Sequence, residues 1–185
     1  MTPLWLSLEV ACIALFNIMV VGLLLCYILK RYSFPGKALI DSIVTLPLVL
    51  PPVVVGFMLL VIFTPGNSFG AWLDANGWQV VFAKAGAVLA SSIIGFPLFY
   101  QTVRSALGSI DPAVEDVART LGASELRIFF TISIPLAWKG ILTGSILAFS
   151  RALGEFGATI LIAGNIPGVT RTIRWRLLIG RIRRL

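Results

Sequence analysis

Charged side chains are scarce in this sequence, so each one that interrupts an apolar stretch is a candidate for chemistry. Arg151 and Glu155 lie four residues apart at the end of a long apolar run. At that spacing on a helix they share a face and can neutralise each other, or inside a membrane they can face a cavity or partner. A second group, Glu115, Asp116, Arg119, Glu125 and Arg127, falls between two apolar runs. Catalysis has little to work with. The chain has no His, which removes the commonest general base and metal ligand, and Gly36-Lys37 lacks the upstream Gly of a phosphate-binding loop. Cys12 and Cys26 are fourteen positions apart, roughly 21 Å along a helix, too far to bridge each other. No catalytic residue and no metal ligand is therefore assigned, and an intramembrane enzyme is a weaker reading than a binding or transport role.

The elements that must position these charges are set by composition. Of 185 residues, 58% are hydrophobic and 12% charged, against about 25% charged in a soluble domain, and the mean hydropathy is +0.96. So much apolar surface requires lipid as a solvent. A span needs about 20 apolar residues, and four segments qualify: 10–29, 42–63, 85–103 and 134–154. The fold class expected is all-α, a polytopic membrane helix bundle. Pro47, Pro51 and Pro52 in the second segment predict a kinked or broken helix, because each removes a donor from the ladder. A last apolar piece, 156–163, is too short to span alone.

Orientation follows from Lys and Arg in the short loops. The first loop holds Lys30, Arg31 and Lys37, the second holds only Asp74, and the third holds Arg104, Arg119 and Arg127. That alternation places the first and third loops in the cytoplasm and the N-terminus outside. The N-terminus has no basic lead and reads as an uncleaved span. The net charge of +7 is misleading, since six of the fifteen basic residues lie in the last fifteen positions. A nucleic-acid partner is poorly supported by such a terminal run.

The third loop is unusual. Asp111 and Pro112 suit a helix start, Glu115 and Asp116 suit the positive end of its dipole, and Gly122 suits its stop. Ser124 can cap a second short helix leading to Pro135. Val114, Val117, Ala118 and Leu121 repeat at spacings of three and four, an apolar stripe. It fits a helix lying on the inner membrane surface or one docking on a soluble partner; periodicity does not separate the two.

The run Glu115-x-x-Ala118-x-x-x-Gly122 followed by Ile134-Pro135 resembles the cytoplasmic loop signature of ABC importer permeases, with Asp116-Val117 where that family often has small residues. The resemblance implies a coupling helix seated in a groove of a cytoplasmic ATPase. Glu115 would meet a basic residue of that partner, Gly122 would permit the turn, and Asp116, Ala118 and Arg127 would complete the loop. Phe34-Pro35-Gly36-Lys37-Ala38, the 46–56 segment, Arg151 to Thr159 and Gly164 to Thr172 resemble molybdate permeases in particular. Sulfate permeases share Arg151-Ala152-x-Gly154-Glu155 and Gly164-Asn165-Ile166-Pro167, so a sulfate or thiosulfate permease is the alternative.

The resemblance covers residues 5–173 and implies a permease transmembrane domain over 1–173, with a basic tail, 174–185, departing from the family. It implies a pore subunit of an ATP-driven importer of molybdate or tungstate, working as a homodimer with ATPase subunits and a periplasmic or extracellular oxyanion-binding protein. The chain itself would bind no cofactor; ATP would be used by the partner. Arg151, Glu155, Asn165 and Thr170 would be pore or gate residues. Location would be the bacterial inner membrane. Family members continue after residue 173 with a further span, so an inactive truncated permease is also considered, as is a channel without an ATPase.

Overall fold

A computed structural model describes residues 3–32, 34–155 and 157–164. All regular elements among them are helical. The longest, α1 (Pro3–Arg31), has 29 residues and so reaches about 43 Å, more than the hydrocarbon core of about 30 Å. Its last turn carries Lys30 and Arg31, which stop it at the charged interface.

The second expected span is two helices, α2 (Lys37–Val49) and α3 (Pro52–Phe63), bent by 116°. The break has a local cause. Leu50, preceding a proline, is driven to extended backbone with ψ 139°, and Pro51 follows at ψ 136°. Pro52 then opens α3, where a missing N–H costs nothing. Pro47 sits inside α2.

A short helix, α4 (Ser68–Ala75), follows in the second loop, capped by Asn67 accepting from the Gly70 N–H at 2.8 Å. The third expected span is α5 (Lys84–Gly108), 25 residues long. The third loop holds α6 (Pro112–Thr120) and α7 (Glu125–Ile128). A π-helical turn, Phe129–Ser133, and α8 (Ile134–Leu136) lead into α9 (Trp138–Leu153) and then α10 (Gly157–Ala163). The fourth expected span is corrected at its start: the chain bends by 75° between α8 and α9, leaving α9 only 16 residues. Two described helices, α1 and α5, are long and apolar enough to cross a membrane alone, or four spans arise if each bent pair is one.

The centre of the bundle is α5. Its Phe99, Tyr100, Val103 and Leu107 are buried with Ile18, Cys26 and Leu29 of α1 and Ala148 of α9. Small residues allow the approach, as in membrane packing generally. A side chain at Gly95 would meet Ile18 and the Ala148 backbone, and one at Gly140 would overlap Ala106. Near the start of both helices Lys84 binds Glu9 at 3.2 Å, fastening α5 to α1. On the other flank α3 lies against α10 so closely that a Cβ on Gly56 would overlap the Ala158 backbone.

Candidate functional site

The third loop begins as its residues dictate. Asp111 Oδ1 accepts from the Ala113 N–H at 3.0 Å, and Pro112 occupies the first turn of α6. Gly122 takes φ +81°, a left-handed conformation costly for a residue with a Cβ. Ser124 then caps α7 by accepting from the Arg127 N–H at 3.4 Å. The expected helix–glycine–helix element is present.

Its faces are reversed from a simple amphipathic pattern. Val114, Val117 and Leu121 are exposed, the last two at 59% and 83%. Of the expected stripe, only Ala118 turns inward. Beside it Glu115 is 6% exposed. Its Oε1 accepts from Lys30 Nζ of α1 at 2.5 Å and from Ser133 Oγ of the π turn at 2.7 Å. Arg119 stands 3.6 Å from its other oxygen. Within this chain the basic residue that meets Glu115 is Lys30. Lys30 also donates to the Leu107 carbonyl, the last turn of α5, at 3.2 Å.

Arg119 organises the remaining charges. It binds Asp116 at 2.5 Å and Glu125 at 2.8 Å, and Glu125 lies 3.8 Å from Arg31 of α1. Burial alone would raise the Glu115 pKa, but hydrogen bonds from Lys30 and Ser133 and the charges of Lys30 and Arg119 outweigh it and hold the carboxyl below its ordinary range. Arg119, through its hydrogen bond, lowers that of Glu125, and Arg119 itself is raised chiefly by the same bond. Between these groups lies a small polar cleft of about 110 Å³, walled by Tyr27, Ile128 and Phe129. Arg127 is exposed and makes no ion pair with a described residue.

The other candidates are scattered. Arg151 Nη1 binds Glu155 Oε2 at 2.7 Å, and the Glu155 side chain is 1% exposed. Its second oxygen accepts from the Ala158 N–H at 2.9 Å, which caps α10. Neutralisation and capping thus account for both oxygens. Asn165, Thr170 and the 174–185 tail lie outside the described residues.

Three features escaped the sequence reading. Lys30 counted there only as a topology charge. Asp41 of α2 accepts from the Tyr100 hydroxyl and, at 2.7 Å, from Arg104 Nη1, with the guanidinium 5.9 Å from the Tyr100 ring centre. The available signal was an acid and a base, each at the edge of an apolar run. Gly66-Asn67-Ser68-Phe69-Gly70 has the spacing of a nucleophile elbow. It joins two helices, not a strand to a helix, and the chain has no His to activate Ser68. It is a helix cap.

Residues 18–183 match the family described as binding-protein-dependent transport system inner membrane component. The chain is 50% identical over 169 residues to the molybdenum transport system permease protein ModB of Escherichia coli K12, covering 91% of this chain and 74% of that protein. It is 46% identical over 173 residues to the putative molybdenum transport system permease protein YvgM of Bacillus subtilis 168, covering 93% and 76%. The sulfate transport system permease protein CysT of Escherichia coli K12 is more distant, 38% identical over 151 residues, covering 82% of this chain and 54% of that one.

Proposed function

Because this chain belongs to the binding-protein-dependent transport system inner membrane components, a family of multi-pass transport subunits and not enzymes, we propose that it forms the pore of an ATP-driven molybdate importer. The observation that carries the substrate is the gradient of identity, 50% to a molybdenum permease against 38% to a sulfate permease. Tungstate, an oxyanion of the same charge and shape, is expected to share the route.

The working unit we propose is a homodimer whose two copies enclose the pore. A binding protein delivers the anion from outside, and ATP is hydrolysed on a cytoplasmic partner. The outer face of α6, with Val114, Val117 and Leu121 turned to water, is where that partner docks. Such an apolar face on a capped nine-residue helix suits insertion into a groove. Closing of the ATPase pair on ATP would push α6 and bias the pore between inward- and outward-facing states. In this reading Asp116, Arg119 and Arg127 form the polar rim of the docking face, and Arg151 and Glu155 stand beside the pore as a neutral pair.

Radiolabelled molybdate uptake in cells lacking their own permease tests the proposal. Expression of the chain with its cognate ATPase and binding protein should restore uptake, and excess tungstate should compete where excess sulfate does not. Competition by sulfate and none by tungstate would assign it to the sulfate permeases instead.

A further inference from the structure

The cytoplasmic end of α1 is joined to three other elements through one ammonium group. Lys30 Nζ reaches Glu115 of α6 at 2.5 Å and the Leu107 carbonyl of α5 at 3.2 Å. The Glu115 oxygen it holds also accepts from Ser133, 2.7 Å away, in the π turn that leads to α9. A weaker strand runs beside it, from Arg31 of α1 to Glu125 of α7 at 3.8 Å.

Besides its short backbone link to α5 and the Arg119–Glu125 bridge to α7, few contacts hold α6 to the membrane helices. It has nine residues, too few to be a stable helix on its own. Only Glu115 and Ala118 are buried, and an alanine contributes little apolar area. Its larger apolar side chains point away from the bundle. Among side-chain contacts, a force applied to the outer face of α6 therefore reaches α1 chiefly through the Glu115 carboxylate.

We infer that Lys30 is the positioning residue that makes α6 move with α1 and α5, so that a push on the docking face is transmitted to the membrane helices. The inference rests on the docking reading of α6. A lysine suits the role because its three donors can serve a carboxylate and a carbonyl together, and the pair is enclosed enough for breaking it to leave an uncompensated charge.

The test uses the full chain with its ATPase and binding protein in liposomes, molybdate as the probe, and the variants Lys30→Met, Lys30→Arg and Lys30→Glu with Glu115→Lys. Alongside, spin labels at Ile28→Cys and Ala113→Cys, in a Cys12→Ala background with Cys26 buried, report the distance between α1 and α6 in nanodiscs. Lys30→Met should keep the ATPase bound and hydrolysing while molybdate moved per ATP falls about five-fold or more, the range of inter-site coupling. The label distance should broaden. Lys30→Arg should restore both, and the charge exchange, which regains the ion pair but not the donor to the Leu107 carbonyl, should narrow the distance only in part. An unchanged distance and unchanged molybdate per ATP in Lys30→Met would overturn the inference, and so would an arginine variant as impaired as the methionine one. Loss of the ATPase with an unchanged distance would also overturn it, by making Lys30 a partner contact. Should the unmodified chain fail to hold the ATPase, the docking reading falls, and the label distance alone decides the role of Lys30. If Lys30→Met does not insert, the charge exchange decides: a distance not narrowed at all in that variant counts against the inference.

Discussion

Glu115 and Val117 are neighbours on one short helix with opposite fates. The carboxylate is enclosed and ion-paired, whereas Val117 is 59% exposed. Glu115→Lys would set a third cation among Lys30 and Arg119, leaving an unpaired buried charge at a cost of about 3–5 kcal/mol. The expected result is a lower unfolding temperature in detergent. Val117→Lys should leave that temperature nearly unchanged, within about 0.5 kcal/mol, and weaken capture of the ATPase in a pull-down. The acid response of the loop follows from the same carboxylate. Its folded pKa is lowered by Lys30, Ser133 and Arg119, so the stability it contributes is complete above the unfolded value of 4.5 and is lost as pH falls through the lower folded value. The other carboxylates nearby, Asp116 and Glu125, bind Arg119, and Glu125 is likewise held below its ordinary range by that bond. A spin label at Ala113 should keep the same mobility from neutral pH down to 4.5 and loosen only below it. Loosening at pH 6 would contradict this. The capped loop was legible in the sequence because Asp111, Pro112, Gly122 and Ser124 act on their immediate neighbours. The Lys30–Glu115 bond was not, because 85 residues separate its partners and only the fold brings them together.

At the scale of elements, hydropathy located the helices, and the prolines of 42–63 announced a break there but not its angle. The segment 42–63 has enough apolar residues to cross a membrane, and composition alone treats it as one piece. Its path depends on where backbone donors are missing. Two prolines in succession leave Leu50 and Pro51 extended, and the chain leaves α2 at 116° to α3. The bend lets Gly56 of α3 lie on Ala158 of α10, a contact with no sequence signature beyond a lone glycine in an apolar run. Gly56→Leu should therefore force α3 away from α10 and destabilise the protein by about 1–3 kcal/mol, as overpacking does. Thermal unfolding of the purified variant measures this, and a neutral effect would mean that the two helices separate easily. The 75° bend before α9, by contrast, was not foreseen. Ile134-Pro135 reads as the entry of a span, whereas the π turn and Ala137 redirect the chain before Trp138.

For the whole molecule the first question is which side of the membrane each loop occupies. Lys30, Arg104 and Arg119 gather at one end of α1 and α5, while Glu9, Lys84 and α4 gather at the other. The positive-inside rule assigns the first end to the cytoplasm. An impermeant thiol reagent added to intact cells should label a cysteine introduced at Asn76 and spare one at Ala113; the reverse pattern would invert the assignment. The exposed apolar residues of α2, α3 and α9, among them Ile43, Phe57 and Ile146, are the surface left for lipid and for the second copy proposed above. Finally, six of the charges set into or beside these helices come as close couples: Glu9 with Lys84, Asp41 with Arg104, Arg151 with Glu155. A couple moves through an electric field almost without work, whereas a single charge taken across 100 mV exchanges about 2.3 kcal/mol. The resting voltage of a cell therefore has little grip on these couples when the helices shift.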